Sequence, residues 1–214
     1  MTAATGIVLA GGRSTRFGSD KLAALMDGTA LLEHAIQSLA TVCDEVIVVE
    51  GHGTAGHGSP GHGSPGHGSA GHTGAAGRRV RTIHDRQPDG GPLVGLLAGL
   101  EAASNPTAIV AGGDMPQLQP DVLRLLLTEV AAGAAAAALE RGARRQPLPC
   151  ALDRDEALPV ARALLAKGRT SLTGLLAALE AVAVPESVWR ALDPDGRTLL
   201  DVDRPSDLAR LTGG

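Results

Sequence analysis

The stretch that decides the fold is Thr5-Gly-Ile-Val-Leu-Ala-Gly-Gly-Arg-Ser-Thr-Arg-Phe-Gly-Ser-Asp-Lys21, near the amino terminus. Its first residues, through Ala10, are mostly apolar and stop at two consecutive glycines, a pattern that predicts a buried strand running into a tight loop. Glycine lets backbone N–H groups approach phosphate oxygens closely, and Arg13, Arg16 and Lys21 add positive charge to the same loop. The stretch therefore predicts a phosphate-binding loop that follows a strand.

The spacing of this loop separates it from two familiar phosphate motifs. Five residues lie between Gly12 and Gly18, and Lys21 does not follow a glycine directly, so the loop is not a Walker A motif. Its glycines also do not follow the Gly-x-Gly-x-x-Gly pattern of dinucleotide-binding folds. An ordinary glycine-rich turn with solvated basic residues is the alternative that these residues alone leave open.

Outward from this loop, short apolar runs alternate with segments of helical periodicity. Further strands are predicted at 45–50, 79–83, 107–111, 134–139, 147–152 and 198–202. Helices are predicted at 31–42, 93–103, 120–131, 156–166, 172–179 and from residue 205 onward. Such alternation is typical of right-handed βαβ units, so we expect an α/β fold: a Rossmann-like three-layer sandwich with a mainly parallel sheet, formed by one domain over residues 1–214.

The composition changes sharply at residues 51–77, where the unit Gly-His-Gly-Ser-Pro repeats with a period of five. This segment cannot bury enough apolar surface to offset its chain entropy, which predicts a disordered insertion between two strands. Histidines on a flexible tether can chelate Ni²⁺, Zn²⁺ or Cu²⁺, so a metal-binding or metal-delivery protein is an alternative from a different functional class. A repeat expansion without function is the simpler interpretation of the regular pentapeptide. The histidines of the repeat are His52, His57, His62, His67 and His72.

Acidic residues follow several of the predicted strands. Ligands of parallel sheets bind beyond the carboxyl ends of the strands, so Asp114 and Asp85 are candidates for a site there. A carboxylate near a phosphate loop is suited to holding Mg²⁺, although a turn role before Pro116 is the alternative for Asp114. Asp201 and Asp203 flank one apolar residue, and in an extended segment both would point to one face as a further carboxylate pair. A solvated turn with a helix cap explains that pair equally well.

Composition excludes several classes of protein. A net charge of −4, with 1% aromatic residues, argues against a nucleic-acid-binding protein, which needs a basic face or aromatic stacking platforms. No apolar stretch approaches the length of a membrane span, and the amino terminus lacks the pattern of a signal peptide. The separated Cys43 and Cys150 indicate reduced thiols. We therefore expect a cytoplasmic protein.

Four motifs together resemble the molybdenum cofactor guanylyltransferases, the MobA-like nucleotidyltransferases. The first loop, Leu9-Ala-Gly-Gly-x-Ser-x-Arg-x-Gly-x-Asp-Lys21, is similar to their most specific motif. The individually weaker matches are Gly91-Pro92-Leu93-Val94-Gly95, Gly113-Asp114-Met115-Pro116 and Asp201-Val-Asp-Arg-Pro-Ser-Asp-Leu208. Their order and spacing agree with the family over nearly the whole chain, apart from the histidine-rich insertion.

The resemblance implies a reaction in which GTP and the molybdopterin form of the cofactor give the guanine dinucleotide form and pyrophosphate. It implies that Arg16, Lys21 and Asp114 are catalytic and that Asp114 binds Mg²⁺. Asp203, from the carboxylate pair described above, is the candidate for a second carboxylate at the metal. The nucleotide-binding residues that it implies are Leu9, Ala10, Gly11, Gly12, Lys21, Asp85 and Asp114. Molybdoenzymes or cofactor-delivery proteins are expected as partners.

A cytidylyltransferase that makes the cytosine form of the cofactor, or another small-molecule nucleotidyltransferase, is the alternative within the same class. The cytidylyltransferase loop usually reads Leu-Ala-Ala-Gly, whereas this chain has Leu9-Ala10-Gly11-Gly12, which favours guanine.

Overall fold

The computed structural model describes residues 3–11, 21–51, 72–73, 79–85 and 90–212. The strands are β1 (Ala4–Leu9), β2 (Leu25–Met26), β3 (Thr29–Ala30), β4 (Glu45–Glu50), β5 (His72–Thr73), β6 (Arg79–His84), β7 (Thr107–Gly112), β8 (Ala136–Arg141), β9 (Arg144–Asp153) and β10 (Val182–Val184). The helices are α1 (Leu31–Ala40), α2 (Pro92–Ala102), α3 (Pro120–Ala131), α4 (Arg154–Ala166), α5 (Leu172–Ala178), α6 (Glu186–Trp189) and α7 (Pro205–Thr212). Short 3-10 turns occupy Lys21–Ala23 and Arg197–Leu199.

Eight of the strands form one sheet in the order β10-β8-β9-β7-β1-β4-β6-β5. At its centre β1 pairs in parallel with both β4 and β7, and β4 pairs in parallel with β6. β9 runs antiparallel to β7 and β8, and β5 runs antiparallel to β6. The carboxyl ends of β1, β4, β6 and β7 therefore meet at one edge of the sheet, which we call the carboxyl edge. The mainly parallel α/β sheet expected from the sequence is confirmed.

Helices cover both faces of this sheet and make the predicted three layers. Successive residues of a strand point to opposite faces. In β4, Val46 and Val48 join a core with α1, α3 and α6, while Ile47 and Val49 join a second core with α2, α4 and α5. Both cores are almost entirely aliphatic, as the shortage of aromatic residues requires. Helices thus bury both faces of the sheet, and polar groups lie at the ends of its strands.

A buried polar network closes the amino end of the sheet. Glu45 lies at the start of β4, is 5% exposed, and its Oε1 accepts hydrogen bonds from Thr5 Oγ1 at 2.8 Å and from Ser104 N at 2.6 Å. Arg81 Nη2 lies 3.6 Å from Glu45 Oε2. Burial opposes ionisation, but the Ser104 and Thr5 hydrogen bonds and the Arg81 charge outweigh it, so the pKa of Glu45 is lowered. We call Glu45, Thr5, Ser104 and Arg81 the amino-end cluster.

The predicted strand at 198–202 is wrong. A 3-10 turn occupies Arg197–Leu199 and residues 200–203 are irregular, because Gly196 adopts a left-handed conformation with φ 68°. The buried carboxylate of Asp193 then accepts hydrogen bonds from Arg197 N at 3.0 Å and Thr198 N at 2.8 Å, which closes the turn. An apolar run gives no sign of this capping, which depends on residues several positions earlier.

The structure also contains elements that the sequence did not indicate, one of them within the proposed insertion. β2, β3, β10 and α6 are too short to produce a clear period. Within the proposed insertion, His72–Thr73 form β5 on the edge of the sheet. The rest of that segment, 52–71 and 74–78, lies outside the described residues, so its predicted disorder stays a prediction. Across the described ranges, no helix combines the length and the apolar character needed to cross a bilayer.

Candidate active site

The first part of the glycine-rich loop is held between two neighbouring strands at the carboxyl edge. Ala10 N donates to Val49 O at 2.9 Å, and Gly113 N donates to Leu9 O at 3.0 Å. Gly11 comes so close to Gly51 that a Cβ on Gly11 would lie 3.2 Å from Gly51 N. The narrow gap explains why glycine occupies position 11. Gly12, Arg13 and Arg16 lie in segment 12–20, outside the described residues, so their roles stay predictions.

Asp85 lies beside this loop, at the end of β6. Its N–H donates to Glu50 O at 3.0 Å, which continues the pairing of the neighbouring strands beyond their ends. Its carboxylate faces two glycines, because a Cβ on Gly51 or on Gly95 would lie 3.9 Å or 4.0 Å from Asp85 Oδ2. The structure therefore brings Leu9, Ala10, Gly11 and Asp85 together, as the nucleotide-binding prediction requires.

The amino terminus of α2 completes this side of the site. Gly91 has φ 80°, a conformation that favours glycine, and Leu93 N donates to Thr170 O at 3.1 Å. A Cβ on Gly91 would lie 3.0 Å from Thr170 Cβ, so the segment before α5 packs directly on the start of α2. No local pattern around Thr170 predicts this contact, because its partners lie far away in sequence.

Asp114 lies just past β7, on the opposite side of the glycine-rich loop from Asp85. Met115 N donates to Gly112 O at 3.3 Å, so the chain turns back at this point. A Cβ on Gly112 would overlap Asp114 Oδ1, and glycine at 112 therefore leaves room for the carboxylate to fold over the end of the strand. The Asp114 side chain is 31% exposed, which leaves it accessible to a ligand.

The carboxylates of Asp114 and Asp203 share one ammonium group. Lys21 Nζ lies 2.8 Å from Asp114 Oδ2 and 2.7 Å from Asp203 Oδ1. The Lys21 side chain is only 11% exposed. Val202 N donates to Asp114 O at 3.0 Å, which ties the segment around Asp203 to the end of β7. We call Lys21, Asp114 and Asp203 the carboxyl-edge cluster.

The segment that supplies Asp203 is anchored by its apolar residue. Val202 is fully buried in a small core with Met26 and Leu31, while Asp201 and Asp203 are exposed. The two acids therefore flank a buried residue as predicted, although the segment is not a strand.

The charges of the site influence one another. Burial disfavours the charged form of Lys21, but its hydrogen bonds to Asp114 and Asp203 outweigh burial and raise its pKa. Neighbouring atoms partly shield the exposed Asp201 carboxylate from water, and this desolvation raises its pKa, with further contributions from the charges of Asp203 and Asp114. Two carboxylates thus contact one ammonium group, and this excess of negative charge favours a cation.

The same side chains are suited to Mg²⁺ only in part. Carboxylate oxygens are the ligands that Mg²⁺ prefers, and Asp114 and Asp203 already point oxygens at a common position. Within the part of the chain that the structure describes, no group of three or more His, Cys, Asp or Glu side chains is arranged to hold a metal ion. Mg²⁺ is commonly held by one or two carboxylates together with substrate phosphates. The residues therefore fit Mg²⁺ in combination with a nucleotide.

Comparisons with known proteins agree with this geometry. Residues 6–184 match the family model of the MobA-like NTP transferase domain. The chain is 34% identical over 209 residues to a probable molybdenum cofactor guanylyltransferase of Chloroflexus aggregans, covering 95% of this chain and 91% of that protein. A probable molybdenum cofactor guanylyltransferase of Methanosarcina acetivorans is 30% identical, with 97% and 89% covered.

The fold is also that of a solved structure. Molybdopterin-guanine dinucleotide biosynthesis protein A from Archaeoglobus fulgidus superposes with a TM-score of 0.73, and the match covers 98% of this chain and 97% of that one. Because the two chains are only 20% identical, this likeness concerns the fold alone. The sequence matches over most of both chains and the family model carry the assignment: the chain belongs to the MobA-like NTP transferase domain family and is a nucleotidyltransferase.

Proposed function

We propose that this chain transfers GMP from GTP to the molybdopterin form of the molybdenum cofactor, which yields the guanine dinucleotide form and pyrophosphate. The observation that carries the proposal is the 34% identity, over 95% of the chain, to a probable molybdenum cofactor guanylyltransferase. The carboxyl-edge cluster supports it, because a reaction between two phosphate groups needs cations to neutralise their charge, and this cluster combines a lysine with carboxylates that can hold Mg²⁺. The same match favours transfer over the metal-delivery alternative.

The residues of the glycine-rich loop have the first role, which is to position the nucleotide. The backbone from Leu9 to Gly11 is fixed by hydrogen bonds to Val49 and Gly113, so its own polar groups are held rigidly beside Asp85. A rigid loop restricts the reacting groups to the orientation needed for in-line attack. Asp85 would contact the base or ribose, and Arg16 and Gly12 would contact the phosphates.

The chemical step is a displacement at the α-phosphorus. An oxygen of the acceptor's terminal phosphate forms a bond to the α-phosphorus, and the bond from that phosphorus to the oxygen bridging the β-phosphate breaks. Pyrophosphate leaves with the electron pair of that bond. The protein needs no covalent intermediate, since orientation and neutralisation of the developing charge are sufficient.

Charge neutralisation is the role of the carboxyl-edge cluster. Asp114, with Asp203 as the second carboxylate, would hold Mg²⁺ next to the phosphates, and Lys21 would donate to phosphate oxygens. When bound, Mg²⁺ neutralises charge on the α-phosphate and on the departing pyrophosphate. Asp114 stands at the centre of this proposal because it lies beside both the glycine-rich loop and Lys21.

Guanine is the proposed base because Gly11 and Gly12 follow Leu9 and Ala10, without the Leu-Ala-Ala-Gly sequence usual in the cytidylyltransferases. We expect GTP with Mg²⁺ to raise the melting temperature, since a ligand that binds only the native state stabilises it by mass action. Turnover with molybdopterin-type acceptor should follow the same preference over CTP and ATP. If CTP stabilised the protein and supported turnover while GTP did neither, the cytidylyltransferase alternative would replace this proposal.

The acceptor and the product suggest the remaining partners. A cofactor that is used by other proteins must be received and passed on, so molybdoenzymes or cofactor-delivery proteins are the proposed partners, and the cytoplasm is the proposed location. Pull-down with the tagged full chain, in the presence and absence of GTP, tests the partners, and cell fractionation followed by detection of the tagged chain tests the location.

A further inference from the structure

We propose that Lys21 occupies the metal position between Asp114 and Asp203 when no nucleotide is bound, and leaves it when Mg²⁺ and the nucleotide bind together. The inference rests on the proposed use of Mg²⁺ with a nucleoside triphosphate. It goes further by giving Lys21 a second role, in which its ammonium group makes metal binding depend on the nucleotide.

The geometry makes the two cations mutually exclusive. Lys21 Nζ lies 2.8 Å from Asp114 Oδ2 and 2.7 Å from Asp203 Oδ1, so it sits directly between the two oxygens. Mg²⁺ held by the same oxygens would need them at about 2.0–2.1 Å and would occupy nearly the same position. Two cations so close would also repel one another strongly at a partly buried site. One must leave before the other binds.

Burial explains why the metal alone displaces Lys21 poorly. The lysine side chain is 11% exposed, and an ammonium group in that position needs acceptors for its protons. A metal that took both carboxylates would leave this ammonium without its anionic partners. The metal itself would gain only two protein oxygens, because no third His, Cys, Asp or Glu joins the cluster among the described residues. The exchange is therefore unfavourable for Mg²⁺ without a nucleotide.

A bound triphosphate makes this exchange favourable for both the metal and Lys21. Its oxygens complete the coordination of the metal, and they also offer new anionic acceptors to Lys21. Lys21 directly follows segment 12–20 of the proposed phosphate-binding loop, so its ammonium group is expected to turn from the carboxylates to bound phosphates. The carboxylates stay in place because Val202 N holds Asp114 O and Val202 is buried. Metal and nucleotide are thereby expected to bind cooperatively.

The test is a titration of Mn²⁺, as a spectroscopic substitute for Mg²⁺, into the full chain without nucleotide. Lys21→Met keeps an unbranched side chain of similar length and removes the charge. We expect Lys21→Met to bind Mn²⁺ about tenfold more tightly than the wild type, because no ammonium group competes. Adding Asp203→Asn to Lys21→Met should abolish this gain, which locates the ion at the carboxyl-edge cluster.

The sequence supplies a matched control, since its lysines are Lys21 and the exposed Lys167. Lys167→Met removes one positive charge from the C-cap of α4 and should leave Mn²⁺ affinity unchanged. If Lys21→Met does not fold, Lys21→Gln removes the same charge and keeps a donor for the carboxylates. Equal affinity of wild type and the Lys21 variant for Mn²⁺ would overturn the inference. Because this titration uses no nucleotide, its result is separate from the GTP preference that tests the proposed function.

Discussion

The two ends of the central strands carry charged clusters whose carboxylates are stabilised in different ways. In the amino-end cluster, Glu45 is closed off from solvent, and Thr5 and Ser104 surround it with fixed hydrogen-bond donors. In the carboxyl-edge cluster, Asp114 and Asp203 are 31% and 55% exposed, and both contact the ammonium group of Lys21. The first arrangement leaves its carboxylate nothing further to bind, whereas the second leaves carboxylate oxygens accessible.

This difference shows what separates a structural charge from a functional one in the same fold. A buried carboxylate with fixed donors holds the sheet and the end of α2 together. A partly exposed carboxylate whose charge is balanced by a shared lysine can exchange that cation for another. Substitutions in the two clusters should therefore have different effects: loss of stability in the amino-end cluster, and loss of activity in the carboxyl-edge cluster.

The largest expected effect is on activity, at Asp114. Asp114→Asn keeps the size and one oxygen but removes the negative charge that Mg²⁺ needs. We expect turnover to fall by about two to three orders of magnitude, the scale of losing one well-placed electrostatic group. Unfolding free energy should change little, because the partly exposed asparagine oxygen can still accept from Lys21 Nζ.

The measurement is turnover and melting temperature across a Mg²⁺ series, with Asp121→Asn as the control. Asp121 is an exposed acid on α3, paired with Arg124 at 2.6 Å, and should behave as the wild type. Wild-type turnover of Asp114→Asn at equal Mg²⁺ would refute the metal assignment. An unfolded Asp114→Asn would show instead that this carboxylate has a structural role in the turn.

The next effect is on stability, at Glu45. Glu45→Gln removes the charge that the amino-end cluster is built to hold, and we expect a loss of about 1–3 kcal/mol in unfolding free energy. Turnover should stay at the wild-type level, because the cluster lies at the opposite end of the strands. Glu101→Gln is the matched control: its exposed pair with Arg162, at 2.9 Å, should contribute less than about 1 kcal/mol.

The pH dependence sharpens the same prediction. The pKa of Glu45 is lowered in the folded protein from its usual value of 4.5, so on acidification the unfolded chain takes up this proton first. The stability that Glu45 contributes is therefore complete above that usual value and is lost as pH falls through the folded pKa. Urea denaturation between about pH 3 and pH 7 should show the wild type and Glu45→Gln converging at low pH. A constant difference across that range would contradict the lowered pKa.

The sequence predicted the fold well wherever one period ran without interruption. The bounds of β4 and α3 match the predictions 45–50 and 120–131, because a continuous apolar run and a clear 3.6-residue period leave no choice. The antiparallel direction of β9 was not predicted, since the direction of a strand depends on the length and path of its connection. The turn at Arg197–Leu199 was missed because its cap, Asp193, lies outside the apolar run.

Individual residues of the site could be predicted from the sequence, but the contacts between their side chains could not. A rule about strand ends was sufficient to single out Asp85 and Asp114, whereas Asp203 was singled out with Asp201 as a pair of acids that flank one apolar residue. That Lys21 lies between Asp114 and Asp203 could not be predicted, because 93 and 182 residues separate it from these partners in sequence. Side-chain pairing over such distances is decided by packing, here by the burial of Val202 and the absence of a side chain at Gly112.

The smallest effect concerns the histidine-rich segment, which connects the carboxyl end of β4 to the edge strand β5. Glu50 lies at the carboxyl end of β4, whereas His72 of β5 pairs with Val80, near the start of β6. The connection must therefore return along about four residues and cross two strand spacings, a span of about 16 Å. Deleting 57–68 leaves about nine residues, which can reach about 30 Å and should close the connection without strain.

We expect this deletion to leave turnover unchanged and to stabilise the fold slightly. Shortening the connection from about 21 to about nine residues lowers the entropic cost of closing it by about 0.7 kcal/mol, which should raise the melting temperature by about 1–3 °C. A variant of full length with His57, His62 and His67 replaced by Gln separates the histidines from the length. If the deletion and the Gln variant both lost activity at an unchanged melting temperature, the histidines would take part in function. In that case Ni²⁺ or Zn²⁺ should bind the wild type and fail to bind the Gln variant, whereas loss in the deletion alone would assign the effect to the length of the connection.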